Sequence, residues 1–181
     1  MDETTALPFL KRLADGLTLV RVLLSVIMMW VGLTLGRPGL DTVAVLLVLA
    51  WATDLLDGPL ARRSQCKRQT WIGDHDLEAD VFLSLGLLVY LVLAGYALPI
   101  LGFIYVILCG LLLWRGQSRH LAMAMQAPVY AVLIYSALRY APLYGWIVVG
   151  WILLTVAVTW PRFPKVIVPD FVAGMRDLSG L

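Results

Sequence analysis

The chain has 181 residues, of which 61% are hydrophobic and only 14% charged, against about 25% charged in ordinary soluble domains. With a mean hydropathy of +0.86 this composition excludes a soluble globular domain, and a net charge of +2 offers no basis for nucleic-acid binding. Two cysteines, Cys66 in a polar stretch and Cys109 in an apolar run, exclude a secreted disulfide scaffold.

Each crossing of a hydrocarbon core of about 30 Å takes about twenty residues, so six crossings use most of the chain. Residues 1–16 read as a short amphipathic interfacial helix, with Leu7, Leu10, Leu13 and Ala14 at helical spacing beside Lys11 and Arg12. Asp15-Gly16 is expected to end it. A first span over about 17–36 is interrupted only by Arg21, and Gly36-Arg37-Pro38-Gly39 makes a turn. The second span starts near Asp41 and meets Asp54 after twelve uncharged residues. At 1.5 Å per residue that carboxylate lies roughly 20 Å along its helix, within the bilayer.

A polar stretch from Gly58 to Glu78 follows, then 34 uncharged residues from Val81 to Trp114. That is too long for one crossing, and Ala94-Gly95-Tyr96-Ala97-Leu98-Pro99 divides it into two. After a connection over Arg115–His120, spans near 121–138 and 143–160 complete an all-α, six-helix transmembrane domain over 17–160, followed by an interfacial tail, 161–181. Twelve of the fourteen Lys and Arg fall on one side of this arrangement, Arg37 and Arg139 on the other. Under the positive-inside rule both termini and the 58–78 loop are cytoplasmic, as in a multi-pass protein of the cell (inner) membrane.

Six of the twelve acidic residues lie between Asp54 and Asp80, across a membrane boundary. Charge is costly there and marks function by default. On a helix Asp54 and Asp57 share a face with Gly58 and Ala61, whose small side chains let a ligand approach. Asp76 and Asp80, four apart, share another face, whereas Asp74 and Glu78 point away from it and are set aside. Four converging carboxylates repel unless neutralised. Oxygen-only ligation suits Mg²⁺, Mn²⁺ or Ca²⁺, and Mg²⁺ characteristically completes its shell with substrate phosphates. Arg62 can offer a guanidinium to such phosphates. Gly58-Pro59 is expected to bend or break the second helix. Arg115 and Arg119, four apart, are placed to bind an acceptor phosphate or to serve as orientation charges; Arg21 is placed to snorkel or to reach the same pocket.

Asp54-x2-Asp57-Gly58-x2-Ala61-Arg62, a glycine at 73, then Asp76-x3-Asp80 resembles the signature of the CDP-alcohol phosphotransferases. Leu17-Thr18-Leu19-Val20-Arg21 before an apolar run resembles that family's start, and Thr53-Asp54 to Arg63 reads like the phosphatidylglycerophosphate synthases. The spacing departs at Gly73, and the lysine-rich acceptor motif of the glycerol-phosphate branch is absent after the fourth span. The resemblance implies transfer of a phosphatidyl group from CDP-diacylglycerol to a small alcohol, with release of CMP, by a homodimer in the bilayer. It implies Asp54, Asp57, Asp76 and Asp80 around one or two Mg²⁺ or Mn²⁺ ions, with Asp80 as the catalytic base. Gly58, Ala61, Arg62 and Gly73 would surround the nucleotide and its phosphates. Glycerol 3-phosphate is the first acceptor to consider, and inositol phosphate, serine or a lipid hydroxyl are alternatives. From another class, a divalent-cation transporter would need polar groups along a path through the bilayer, whereas these carboxylates are confined to one side.

Overall fold

A computed structural model describes residues 3–63, 76–116 and 119–160 and short pieces of the tail; side chains are described from residue 15 on, except 57–63, 76, 113, 116 and 119–120. Six α-helices and one 3-10 turn occur among them: α1 Glu3–Thr34, the turn Arg37–Gly39, α2 Leu40–Arg63, α3 Asp76–Leu93, α4 Pro99–Gly116, α5 Arg119–Tyr140 and α6 Pro142–Val158. No strand occurs among the described residues. Three segments, Asp15–Thr34, Arg37–Leu56 and Leu121–Tyr140, are long and apolar enough to cross a membrane, and Pro99–Leu112 and Pro142–Val158 are shorter apolar helices. The chain is an all-α, polytopic membrane protein.

Two expected breaks are absent. Helix α1 runs unbroken through Asp15-Gly16, so residues 3–16 are continuous with the first span. A glycine in a helix interior costs only about 1 kcal/mol, less than interrupting the hydrogen-bond ladder at the edge of an apolar span. The backbone of α2 likewise stays helical through Gly58-Pro59 to Arg63. Proline there removes one ladder bond close to the helix end, and the turns before it keep theirs. The other punctuation falls where expected. Gly36 (φ 59°) and Gly95 (φ 71°) adopt the left-handed backbone that opens each tight turn.

Apolar packing alone gives little drive for helices to associate in lipid, so close backbone approach at small residues matters more. Helix α1 packs most extensively against α3 and α2. At the α1–α3 crossing a Cβ on Gly86 would lie 2.8 Å from the Ser25 carbonyl oxygen, while Ser25 Oγ donates to the Phe82 carbonyl at 2.7 Å. Gly145 brings α6 equally close to α5, since a Cβ added there would fall 2.6 Å from the Leu138 nitrogen. Leu24, Met28, Leu47, Leu83, Leu87 and Leu133 fill the centre between α1, α2, α3 and α5. Helix α4 is peripheral, with Ile100, Phe103, Ile104, Ile107 and Leu111 exposed along it.

One end of the bundle is clasped by the two glycine turns. Arg37 Nε and Nη2 donate to the carbonyls of Ala94 and Gly95 at 3.1 and 3.2 Å, and its guanidinium lies over the Tyr96 ring at 5.6 Å. Tyr90 returns a hydroxyl to the Gly36 carbonyl at 3.3 Å. This clasp fixes the relative height of α1, α2 and α3, and so decides which residues stand level at the other end.

Candidate active site

Counted from the clasped turns, Arg21 lies thirteen residues before the end of α1, Asp54 fourteen after the start of α2, and Asp80 thirteen before the end of α3. At 1.5 Å per residue each is roughly 20 Å from the clasp. The three side chains meet at that level. Arg21 Nη2 lies 3.2 Å from Asp54 Oδ1, and Nη1 donates to Asp80 Oδ1. The guanidinium is fully buried, whereas Asp54 is 54% and Asp80 30% exposed. The carboxylates are therefore open on one side while the arginine holds them from the other.

Arg21 belongs to a buried polar stripe with Thr18 and Ser25, at the i, i+3 and i+7 positions that bring residues to one helix face. An unpaired arginine in the bilayer is costly, and its burial here is matched by two anionic partners among the described residues. The cavity beside the ion pairs has a volume of about 170 Å³ and is lined by Arg21, Ala50, Trp51, Asp54, Leu77, Asp80, Leu83, Met123, Gln126 and Tyr130. Tyr130 donates to Gln126 Oε1 at 3.1 Å and meets the Trp51 ring edge-on at 5.2 Å. A second cavity, about 240 Å³, reaches Asp54 from between α2 and α6, with Trp51, Trp151 and Thr155 in its wall. Two cavities of about 350 Å³ lie away from the carboxylates, one apolar among α3, α4 and α5 and one at the clasped end.

Of the residues singled out from sequence, the structure brings together Asp54, Asp80 and Arg21. Asp57 follows Asp54 by three residues in α2, and Asp76 opens α3 four residues before Asp80. Gly58, Ala61 and Arg62 lie in the last turns of α2, and for these five only the backbone is described. Gly73 and Asp74 lie outside the described residues, as does most of 161–181. Glu78 is exposed on α3, and Arg115 is exposed at the end of α4. Arg119 begins α5 in helical register with Met123, Gln126 and Tyr130, and its side chain is not among those described. Trp51 and Tyr130 also line this cavity and were not among the candidates read from sequence. The available signal was the polar pair Gln126 and Tyr130, four apart in an otherwise apolar span.

The donor set fits a hard divalent cation. Two partly exposed carboxylates from different helices converge, and no sulfur or imidazole ligand of the Cys or His kind lines their cavity. Among the described residues no group of three or more His, Cys, Asp or Glu forms a cluster. Asp57 and Asp76 stand one turn from Asp54 and Asp80 on the same two helices.

Residues 11–160 match the sequence model of the CDP-alcohol phosphatidyltransferase family. Comparison with curated proteins and with solved structures gave no match.

Proposed function

The chain belongs to the CDP-alcohol phosphatidyltransferase family, membrane transferases of phospholipid biosynthesis, and from that premise we propose that it moves a phosphatidyl group from CDP-diacylglycerol to a small polar alcohol, releasing CMP. The observation that carries this reading is the shared contact of Arg21 with Asp54 and Asp80. It joins the two halves of the aspartate motif, 26 residues apart in sequence, at the wall of one cavity.

In this reading Asp54, Asp57, Asp76 and Asp80 hold one or two Mg²⁺ or Mn²⁺ ions, which when bound neutralise charge on the diphosphate and on departing CMP. Gly58, Ala61, Arg62 and Gly73 surround the nucleotide and its phosphates. Asp80 accepts the proton of the acceptor hydroxyl, a role its partial exposure allows, since a base must meet its substrate's proton within hydrogen-bond reach. The Gln126 amide and Tyr130 hydroxyl form the polar part of the opposite wall and orient the acceptor. Glycerol 3-phosphate is the acceptor of first choice, with Arg119 and Arg115 at its phosphate; Arg21, also a candidate for that phosphate from sequence, is instead fully buried and engaged by Asp54 and Asp80. The register of Arg119 with three cavity-lining residues of α5 supports the first of these. The Lys and Arg distribution favours a site at the cytoplasmic leaflet with both termini inside, and the family resemblance supports a homodimer.

The test is CMP release by purified protein given CDP-diacylglycerol, Mg²⁺ or Mn²⁺, and glycerol 3-phosphate, inositol phosphate, serine or a lipid alcohol in turn. Metal- and acceptor-dependent CMP is the expected result. Absence of CMP with every acceptor, in protein that remains folded, overturns the proposal.

A further inference from the structure

Arg21 is the one cation in the carboxylate cavity among the described residues. It stands on α1, in neither half of the aspartate motif, and is fully buried in contact with a carboxylate from each half. Its charge is permanent, because a guanidinium does not deprotonate in proteins. It is also held in place. Ser25, one turn on, donates to the Phe82 carbonyl at 2.7 Å, and Gly86 lets the α1 and α3 backbones touch there, so α1 cannot draw the guanidinium away without breaking that crossing.

A fixed positive charge beside two metal-ligating carboxylates has opposing consequences. It gathers the carboxylates, which favours any cation they bind together. It also repels a doubly charged ion a few ångströms away, and in a partly desolvated site that repulsion is only weakly screened. The gathering benefit is small here, since Asp54 and Asp80 stay partly exposed and sit on helices already fixed by the clasp. Repulsion therefore dominates until an anion arrives to offset it.

We propose that Arg21 is a positioning residue acting as an internal counter-cation, which pairs with Asp54 and Asp80 in the ligand-free protein and makes tight divalent-ion binding conditional on the negative charge of a bound nucleotide diphosphate. The inference rests on the reading that these aspartates hold divalent ions. Because binding couplings are reciprocal, the ion tightens the nucleotide as much as the nucleotide tightens the ion. The device keeps the site loosely metallated between turnovers and loads it with its substrate.

Mn²⁺ titrations followed by electron paramagnetic resonance, in detergent, with and without CDP, test this; the Mn²⁺–CDP complex measured without protein is subtracted. In the wild type CDP is expected to tighten Mn²⁺ binding at least about tenfold, within the usual span of coupling between sites. In Arg21→Met, Mn²⁺ alone binds at least about tenfold more tightly than to wild type, and CDP adds less than about threefold. Arg21→Lys keeps the charge and the wild-type pattern. Equal or weaker Mn²⁺ binding by Arg21→Met overturns the role of Arg21 and leaves the proposed activity standing. Should Arg21→Met not fold, the wild type decides: Mn²⁺ affinity indifferent to CDP overturns the inference. Wild type that binds no Mn²⁺ with or without CDP overturns the aspartate–metal reading beneath both.

Discussion

Replacing Asp80 with Asn removes one negative charge while keeping the side chain's shape, and the structure separates its two expected costs. The first is structural. Arg21 is fully buried and loses one of its two carboxylate partners among the described residues, but Asp54 stays at 3.2 Å and the new amide oxygen can still accept from Nη1. An exposed pair contributes about 0–1 kcal/mol, and stripping one partner from a fully buried pair costs about 3–5 kcal/mol. With Asp80 at 30% exposure and a second carboxylate present, about 1–3 kcal/mol of stability should be lost. The second cost is chemical. A positioned general base contributes about 10²–10⁴-fold in rate, equivalent to about 3–5 kcal/mol of barrier. The assay is CMP release at saturating substrates per folded molecule, with thermal unfolding measured on the same preparation. Asp80→Asn is expected to lower the midpoint modestly and turnover at least about a hundredfold, the lower end of that range. Turnover within about tenfold of wild type, corrected for folded fraction, removes Asp80 from proton transfer and leaves it the ion pair and a share in holding the metal.

Three further outcomes follow from the same geometry. Gly86→Ala places a Cβ 2.8 Å from the Ser25 carbonyl oxygen, so α1 and α3 must separate; overpacking of this kind costs about 1–3 kcal/mol, and both the unfolding midpoint and CMP release should fall, while a wild-type midpoint would show that the two helices can part there without cost. Arg37→Ala removes two hydrogen bonds to the α3–α4 turn and should cost about 1–3 kcal/mol at about 1 kcal/mol net per bond, with the effect on turnover no larger than the loss of folded protein. Arg119→Ala is expected to raise KM for a phosphorylated acceptor about tenfold or more with kcat nearly unchanged, as loss of a charged hydrogen bond of about 1.5–3 kcal/mol implies; an equal change for serine or another acceptor lacking a phosphate would assign Arg119 elsewhere.

Much of the helix count is legible in the sequence because lipid imposes a length and an apolarity that sequence displays directly. The tight turns are legible for a different reason: Gly36 and Gly95 occupy backbone conformations that other residues rarely adopt. Breaks at Asp15-Gly16 and Gly58-Pro59 are expected from local propensity and do not form, since a preference of about 1–3 kcal/mol does not outweigh a helix already committed on both sides. The aspartates announce themselves by their cost at a membrane boundary. Trp51 and Tyr130 do not, because aromatic residues in an apolar span look alike whether they face lipid, core or a cavity.

The sequence by itself determined that the chain lives in a bilayer, how the part from residue 17 on divides into helices, and which carboxylates stand out, since periodicity, length and the energetic penalty of intramembrane charge are local properties. The meeting of Arg21 with Asp54 and Asp80 was decided only by tertiary structure. Three helices had to be brought level by the Arg37 clasp and brought close by Ser25 and Gly86, and no local pattern encodes the relative height and contact of segments 33 and 59 residues apart.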